Sequence, residues 1–217
     1  MLALKNVAIG YKNSAPIIQK IDAELSVGTF CCLVGRNGTG KSTLLRSIAG
    51  MRPILGGEIV TPPSVAIALT QVPQLANTKV KEMVAYGRLG ETGWLGRLQP
   101  QDLLMAEDAI RQVGIEHLSE RWLNHLSDGE KQKTMIARCI AQGSPLLLLD
   151  EPSAFLDYPS RRELMTLLLQ LAHNQKKTIL LSTHDVELAL EFADCLWLIK
   201  DKFLQQKTPQ DFRLEEL

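Results

Sequence analysis

Short apolar segments separated by polar turns fill the first third of the chain. Leu2 to Ile9 alternates loosely between apolar and polar residues, and Ile17 to Val27 alternates again. One parity of this second segment holds Ile17, Gln19, Ile21, Ala23, Leu25 and Val27. Thr29 to Val34 is almost entirely apolar, as in a strand that is covered on both faces. With further short segments at Glu58–Val60 and Val65–Thr70, this pattern predicts a series of strands.

Helical spacing of apolar residues appears first from Lys41, where a helix is predicted to stop at Gly50. It returns between about residues 71 and 126, at Val80, Met83 and Val84 and again from Leu103 to Val113. The second stretch predicts a helical insertion. Within it, Gly87 to Gly96 is rich in glycine and predicts a loop.

Strands and helices alternate after the insertion. The predicted helices and strands are, in order, Asp128–Gln142, Leu146–Leu149, Ser160–His173, Thr178–Ser182, Val186–Ala193 and Cys195–Lys200. Such alternation predicts a parallel sheet with helical crossovers. The tail from Gln205 is polar, and no strand or helix is predicted there.

Composition narrows the class of protein. A chain of 217 residues fits one domain with room for a smaller subdomain. Lys+Arg and Asp+Glu both number 24, so no net charge attracts nucleic acid or anionic lipid. None of the four cysteines (Cys31, Cys32, Cys139 and Cys195) forms a Cys-x-x-Cys pair, which favours reduced, buried thiols and the cytosol. No secretory signal and no membrane-spanning run is recognised, so any membrane role is expected to come through a partner.

A glycine-rich run lies between the apolar strand ending at Val34 and the helix from Lys41. It reads Gly35, Arg36, Asn37, Gly38, Thr39, Gly40, Lys41, Ser42, Thr43. Glycines let the backbone wrap a phosphate closely and turn its N–H groups inward, and the helix adds the positive end of its dipole. The run therefore predicts a triphosphate site, with Lys41 on the β- and γ-phosphates and Ser42 on Mg²⁺.

Two acids follow a second buried strand, in Leu146-Leu-Leu-Leu-Asp150-Glu151. Ligands of open parallel sheets bind outside the carboxyl ends of the strands, so both acids are expected beside the glycine-rich run. Asp150 is predicted to hold Mg²⁺ through its water shell. Glu151 is predicted to polarise the attacking water.

A second anion-binding helix end is predicted at Leu126-Ser-Asp-Gly-Glu130. Ser127 and Glu130 have the spacing of a capping box, which by itself indicates only the start of a helix. Gly129 within the first turn is unusual, because glycine is unfavourable in a helix. Exposed N–H groups and a missing side chain suit the close approach of an anion.

These motifs resemble those of the ATP-binding cassette (ABC) proteins. Leu126–Glu130 is similar to the family's signature sequence, Gly35–Thr43 to Walker A and Leu146–Glu151 to Walker B, in the same order. The resemblance implies an α/β P-loop NTPase fold with a mostly parallel sheet, an N-terminal antiparallel β part and a helical subdomain. It also implies ATP and Mg²⁺ as ligands. The implied organisation is one domain over residues 1–217, with a core of 1–70 and 127–217 and a helical subdomain of about 71–126.

The resemblance implies roles for further residues. Tyr11 is similar to the aromatic residue that stacks on adenine, and His184 to the switch histidine at the γ-phosphate. Asp157 lies in a match to the D-loop, which faces the opposite subunit. Gln71 is similar to the Q-loop glutamine that touches Mg²⁺ and the attacking water, with Gln74 as the alternative.

The interval between Lys41 and Gln71 is shorter than expected for metal-chelate importers. We expect Pro62-Pro63 to replace a strand and a helix between Gly57 and Val65, which would trim the edge of the core.

The mechanism implied by the family is a head-to-tail dimer of two copies. Ser127 and Gly129 of one copy would contact the γ-phosphate held by Lys41 of the other, and hydrolysis would open the dimer. The implied role is the ATPase of an importer for a ferric siderophore, haem or cobalamin, on the similarity of Tyr86–Arg88, Thr92–Leu95 and Phe155–Tyr158.

The partners implied for such an ATPase are integral membrane permease subunits and, indirectly, a substrate-binding protein. The chain would then be cytoplasmic and peripheral on the inner face of the membrane. Trp94 and Leu95 would either line the groove for the permease or pack inside the insertion.

Two other functions compete with transport. A soluble ABC ATPase acting on DNA or ribosomes usually carries a coiled-coil insertion or tandem cassettes, and this chain has neither, so no nucleic-acid partner is expected. A regulatory nucleotide-binding protein without turnover is disfavoured by the presence of Glu151 and His184. An ABC transporter for another solute remains a further alternative.

Overall fold

A six-stranded sheet forms the centre of the computed structural model, which describes residues 1–70, 77–91 and 97–216. In spatial order its strands are β5 (Val65–Ala68), β6 (Leu146–Asp150), β7 (Thr178–Ser182), β3 (Phe30–Val34), β8 (Cys195–Lys200) and β9 (Phe203–Lys207). Neighbouring strands run parallel, except that β8 and β9 are antiparallel. Because the strands that precede the chemical motifs are parallel, their carboxyl ends meet at one edge of the sheet.

A second, antiparallel sheet covers one face of this core. It contains β1 (Leu2–Ile9), β2 (Ile18–Leu25) and β4 (Gly56–Val60), in the order β2-β1-β4. Among the described residues β4 pairs only with β1, and the chain passes directly from Val60 through Pro62-Pro63 to β5. The core edge is therefore short at this point, as the interval between the motifs predicts.

Six α-helices complete the described part of the chain. They are α1 (Lys41–Ile48), α2 (Val80–Ala85), α3 (Pro100–Val113), α4 (Asp128–Ala141), α5 (Tyr158–Gln175) and α6 (Val186–Phe192). Short 3-10 helices lie at Tyr86–Glu91, Glu116–Leu118, Leu123–His125 and Leu214–Glu216.

The central sheet is buried on both faces, and β3 shows how. Phe30, Cys32 and Val34 belong to one apolar cluster, together with residues of α5 and α6. Cys31 and Leu33 belong to the other, together with α1 and the antiparallel sheet. Every residue of β3 is buried, which explains why its sequence is continuously apolar rather than alternating. The adjacent cysteines Cys31 and Cys32 face opposite sides of the sheet, and all four cysteines are free thiols.

A third apolar cluster holds the insertion together. Val80, Val84 and Ile110 pack with Met135 of α4 in this cluster, so the insertion is tied to the helix that begins after Ser127. A largely buried ion pair lies within the insertion, where Nε of Arg88 is 3.0 Å from Oδ1 of Asp102. The same guanidinium donates to the carbonyl oxygen of Gln142 at 2.9 Å, just past the end of α4.

Three local predictions are wrong. The polar tail contains β9, whose backbone pairs with β8, so ladder hydrogen bonds override the polar side chains. The stretch from Gly87 is a 3-10 helix as far as Glu91 rather than a loop, because it packs between α2 and α4. At the start of β2, Ile18 is fully buried whereas Ile17 before it is only partly buried, because the positive φ of Lys20 and a register shift against β1 change the parity.

Candidate active site

The glycine-rich loop wraps the space in front of α1. Gly38 and Gly40 have φ angles of 77° and 104°, in the left-handed region that glycine enters at little cost. The first N–H groups of α1 have no partner within the helix, so they are free to bind an anion. Arg36 and Asn37 are exposed along this loop. The geometry fits the phosphate cradle that the sequence predicts at Gly35–Thr43.

A threonine hydroxyl closes the turn of this loop. The Thr39 hydroxyl donates to the carbonyl oxygen of Arg36 at 2.9 Å, which closes the turn. Thr43 lies in the first turn of α1 and is partly buried.

Lys41 lies inside the loop with only 5% of its surface exposed. Its Nζ donates to the carbonyl oxygens of Gly35 at 2.7 Å and Arg36 at 3.2 Å. Burial lowers the pKa of Lys41, and the negative charges of Glu151 and Asp150 oppose that change. A desolvated ammonium held by neutral carbonyls is suited to an anionic ligand, which satisfies the charge better than two carbonyls do.

Ser42 and Asp150 meet where α1 begins and β6 ends. The Ser42 hydroxyl donates to Oδ1 of Asp150 at 2.9 Å, and Asp150 is 2% exposed. Hydroxyl and carboxylate oxygens are ligands that Mg²⁺ prefers, and the donors present therefore fit that cation. No cluster of three or more His, Cys, Asp or Glu able to hold a metal occurs in the ranges that the structure describes. The remaining ligands would come from substrate phosphates and water, as is usual for Mg²⁺.

Glu151 follows Asp150 at the same edge and has a φ angle of 49°, which is unusual for a residue with a side chain. Nε2 of His184 lies 2.6 Å from Oε1 of Glu151. His184 comes two residues after the end of β7, which pairs with β6. The topology thus brings together an acid and a histidine that are far apart in the sequence.

The N-terminus of α4 carries the predicted capping box. Oγ of Ser127 accepts from the backbone N–H of Glu130 at 3.3 Å, and the Glu130 carboxylate accepts from the backbone N–H of Ser127 at 2.8 Å. The Ser127 hydroxyl also donates to that carboxylate at 2.9 Å. A Cβ on Gly129 would lie 3.0 Å from the carbonyl oxygen of Phe155, so a larger residue would press on the loop before α5.

Tyr11 and Asp157 lie outside the phosphate cradle. Tyr11 is 55% exposed, and the guanidinium carbon of Arg52 lies 4.4 Å from its ring centroid. The Asp157 carboxylate caps α5 by accepting from the backbone N–H of Ser160 at 3.0 Å. Hydrogen bonds from the side chain and then the backbone of Ser160 lower the pKa of Asp157. Gln71, Gln74, Trp94 and Leu95 lie outside the described residues.

Comparison with known proteins agrees with this geometry. The family model described as "ABC transporter" matches residues 18–154. An uncharacterized ABC transporter ATP-binding protein of Methanocaldococcus jannaschii is 36% identical over 231 residues, which cover 100% of this chain and 79% of the relative. The chain belongs to the ABC transporter family.

Two further matches describe this ABC cassette more closely. The achromobactin transport ATP-binding protein of Dickeya dadantii is 36% identical over 203 residues, covering 88% of this chain and 75% of the relative. A solved structure of a metal-chelate type ABC transporter, in an inward-facing conformation, matches with a TM-score of 0.89 at 26% identity and covers 97% of this chain and 84% of that chain. Family membership, the cassette fold and the ATPase class predicted from the sequence are confirmed.

Some contacts of the ABC cassette site have no counterpart in the sequence prediction. The Thr70 hydroxyl donates to the carbonyl oxygen of Asp150 at 2.8 Å, and the Ser182 hydroxyl donates to Oδ1 of Asp150 at 2.8 Å. Nε of Arg161 donates to the carbonyl oxygen of Leu156 at 2.9 Å. The available signal for Ser182 was its position, since a polar residue ends an otherwise apolar strand beside the strand that ends in Asp150.

Proposed function

We propose that this ABC ATPase powers an importer for a metal chelate of the iron-siderophore, haem or cobalamin type. The proposal is supported by the similarity to a protein of achromobactin transport and to a transporter of the metal-chelate type. Other solutes remain open to test, because the ATPase subunit does not contact the solute in this arrangement. In the part of the chain that the structure describes, no helix is long and apolar enough to cross a membrane.

The observation that carries ATP hydrolysis is the convergence of the glycine-rich loop, the acidic pair and His184 at one sheet edge. Buried Lys41 would bind the β- and γ-phosphates, since its ammonium lies inside the phosphate loop. Glu151 would accept a proton from the attacking water, and His184, 2.6 Å from its carboxylate, would orient it. Gln71 is proposed to contact the same water, as the family resemblance implies.

The remaining residues of Gly35–Thr43 would bind the phosphates through backbone N–H groups, and Tyr11 would stack on the base. Ser42, Asp150 and Gln71 are proposed to hold Mg²⁺, with the Ser42–Asp150 hydrogen bond at 2.9 Å as the support for the first two. A bound Mg²⁺ would neutralise phosphate charge. The chain itself would hold the hydroxyl oxygen of Ser42 and Oδ1 of Asp150 in place for the cation.

A second copy of the chain is proposed as the first partner. Ser127 and Gly129 lie at the N-terminus of α4, whose free N–H groups suit the γ-phosphate held by the other copy. Asp157 is proposed to lie at the same interface. In this arrangement ATP joins the two copies and loss of the γ-phosphate releases them.

Permease subunits are proposed as the second partner, with a substrate-binding protein acting through them, which would place the chain on the cytoplasmic face of a membrane. The proposed helical subdomain of about residues 71–126 would receive the permease. Its apolar cluster also includes Met135, Ala137 and Ala141 of α4, which supports a subdomain that is joined through α4 to the proposed core of 1–70 and 127–217.

Two measurements test this function. Phosphate release from ATP by the purified chain should require Mg²⁺ and should be lost in Lys41→Ala. The tagged chain should then co-purify with a multi-span permease from native membranes, and the reconstituted complex should take up an iron chelate only with ATP inside. Uptake of another solute in place of the chelate would correct the solute class, whereas failure to bind ATP would overturn the ATPase proposal itself.

A further inference from the structure

Ser182 ends β7 and has no role in the functions proposed above. It is fully buried, and it lies opposite Asp150 in the pairing of β7 with β6. On its other side, β7 pairs with β3, where Leu33 is the register partner of Ser182. Ser182 thus lies between the strand that leads into the phosphate loop and the strand that leads into the acidic pair.

The hydroxyl group of Ser182 makes two hydrogen bonds, one as a donor and one as an acceptor. It donates to Oδ1 of Asp150 at 2.8 Å, and it accepts from the backbone N–H of Glu151 at 2.9 Å. One buried oxygen atom therefore connects the side chain of the first acid to the backbone of the second.

The bond to Asp150 fixes the direction of its carboxylate. Oδ1 accepts from Ser42 at 2.9 Å on one side and from Ser182 on the other. Ser42 is itself a proposed Mg²⁺ ligand, whereas Ser182 is not. Ser182 is therefore the partner that orients Asp150 from behind the site, in the way that groups outside the ligand set commonly orient metal ligands.

The bond to Glu151 supports an unfavourable backbone. A φ angle of 49° costs about 1 kcal/mol or more for a residue with a side chain, and such a conformation persists only where neighbours hold it. The backbone N–H of Glu151 donates to two atoms of Ser182, the hydroxyl oxygen at 2.9 Å and the carbonyl oxygen at 3.2 Å. The hydroxyl makes the shorter of these two contacts.

From these contacts we propose that Ser182 is a positioning residue for this ABC ATPase, acting on the metal-holding carboxylate of Asp150 and on the backbone that presents Glu151. The inference rests on the function proposed above. Ser182 itself contacts neither the nucleotide nor the cation. A serine that served only to fill space at this position would not need its hydroxyl, and this difference is what the experiment measures.

The test compares cation binding with nucleotide binding in Ser182→Ala. Mn²⁺ is titrated with a non-hydrolysable ATP analogue and followed by electron paramagnetic resonance. We expect Mn²⁺ affinity to fall by about tenfold, the lower end of the range for groups that orient metal ligands. Affinity for the analogue in EDTA should not change, because the phosphate loop is untouched. Turnover at saturating Mg²⁺ should also fall, since Glu151 loses its shorter backbone contact.

Two control variants separate the effect of the Ser182 hydroxyl from the effect of altering a buried serine. Ser144 is 1% exposed and its hydroxyl has no hydrogen-bond partner among the residues that the structure describes, so Ser144→Ala removes the same atom without breaking such a bond. Ser182→Thr keeps the hydroxyl, and it should restore Mn²⁺ affinity toward that of the unaltered chain. Melting temperatures of all variants are measured alongside. If Ser182→Ala does not fold, Ser182→Cys removes the oxygen at nearly constant volume.

Each outcome decides the matter. Weaker Mn²⁺ binding in Ser182→Ala, with Ser144→Ala unchanged and Ser182→Thr restored, supports the positioning role. Equal losses in the Ser144 and Ser182 variants, no loss in Ser182→Ala, or no rescue by threonine would overturn it. Absence of nucleotide and Mn²⁺ binding in the unaltered chain would instead overturn the proposed function, so the two failures are distinguishable.

Discussion

Nε2 of His184 and Oε1 of Glu151 are 2.6 Å apart, so the two side chains form a direct pair at the end of the central sheet. The histidine side chain is 43% exposed and the glutamate side chain 28%, so both face the open edge where a substrate would enter. The pair places the proposed proton acceptor and the group that is proposed to orient it side by side.

Replacing the acid of this pair should separate binding from chemistry. Glu151→Gln keeps the size of the side chain and removes its basicity, so turnover should fall by about 10²-fold or more. ATP affinity should stay the same, and light scattering should show a stable dimer with ATP and Mg²⁺. The exposed Glu163 on α5 provides a matched control, since Glu163→Gln should turn over normally. Rapid hydrolysis by Glu151→Gln would rule out Glu151 as the base.

The lowered pKa of Lys41 predicts a pH dependence of ATP binding. In the chain without nucleotide, burial lowers the pKa of Lys41 below the ordinary lysine value of 10.5. Bound triphosphate would raise this pKa, because it favours the ammonium form. ATP affinity is therefore full below the free-state pKa and falls as the pH rises through it toward the bound-state pKa. Calorimetry in two buffers of different ionisation enthalpy should show proton uptake, of up to about one proton per nucleotide, on the alkaline side.

Lys177 provides the control for this measurement. Burial also lowers the pKa of Lys177, but its Nζ donates to the carbonyl oxygens of Gly143 and Ser144, before the start of β6 and away from the site. Proton uptake should persist in Lys177→Met. If it disappears there, or if the unaltered chain takes up no proton, Lys41 is not the group that titrates.

Ser127 is predicted to have two separable roles, as a helix cap and as a phosphate contact. Ser127→Ala should lower the free energy of unfolding by about 1 kcal/mol through loss of the cap. Ser127→Asp should preserve the cap, because aspartate is an equally good N-cap residue, yet its charge should repel the γ-phosphate. In a Glu151→Gln background, light scattering should show that Ser127→Asp remains folded but no longer dimerises with ATP. Normal dimers in that variant would place the contact elsewhere.

The buried pair of Arg88 and Asp102 should stabilise the contact between the insertion and α4. Hydrogen bonds from the backbone N–H of Gln99 and from Arg88 lower the pKa of Asp102. Because this pKa is depressed in the folded state, the stabilisation is present above the ordinary pKa of about 3.9 and is lost as the pH falls through the folded value.

Asp102→Asn should therefore lower the melting temperature by several degrees at pH 7, and this deficit should shrink as the pH falls below about 4. Asp108→Asn lies on the same helix and alters only exposed contacts, with Arg111 and Gln112, so it should melt close to the unaltered chain. Equal effects of the two substitutions would indicate that burial of the pair is unimportant.

The order of elements and the chemical edge of the sheet were predictable because they depend on local patterns. A continuously apolar β3 or β6, followed by glycines or acids, indicates a buried parallel strand and the residues at its carboxyl end. β9 was missed because its last three residues, Gln205, Gln206 and Lys207, are polar, whereas its backbone pairing with β8 defines it as a strand. The parity of β2 was missed because a bulge is set by the partner strand.

The second set of contacts around the site was not predictable for a similar reason. Ser182 and Asp150 are 32 positions apart, and only the β6–β7 register brings the hydroxyl to the carboxylate. Arg52 and Tyr11 likewise meet through the fold. Sequence motifs identify the residues that are predicted to contact a ligand directly. The residues that position those side chains lie on other strands and helices, and the pairing of these elements cannot be deduced from the sequence alone.

One face of the Tyr11 ring is covered by the guanidinium of Arg52, which leaves a single flat surface for a nucleobase. A flat aromatic surface accepts any purine, because stacking does not read the hydrogen-bonding edge of the base. Preference for adenine over guanine would then have to come from other groups or from cellular abundance. In the proposed stacking role, the Tyr11–Arg52 pair would therefore bind purine nucleotides with little selectivity, whereas the phosphate loop would still require a phosphorylated ligand.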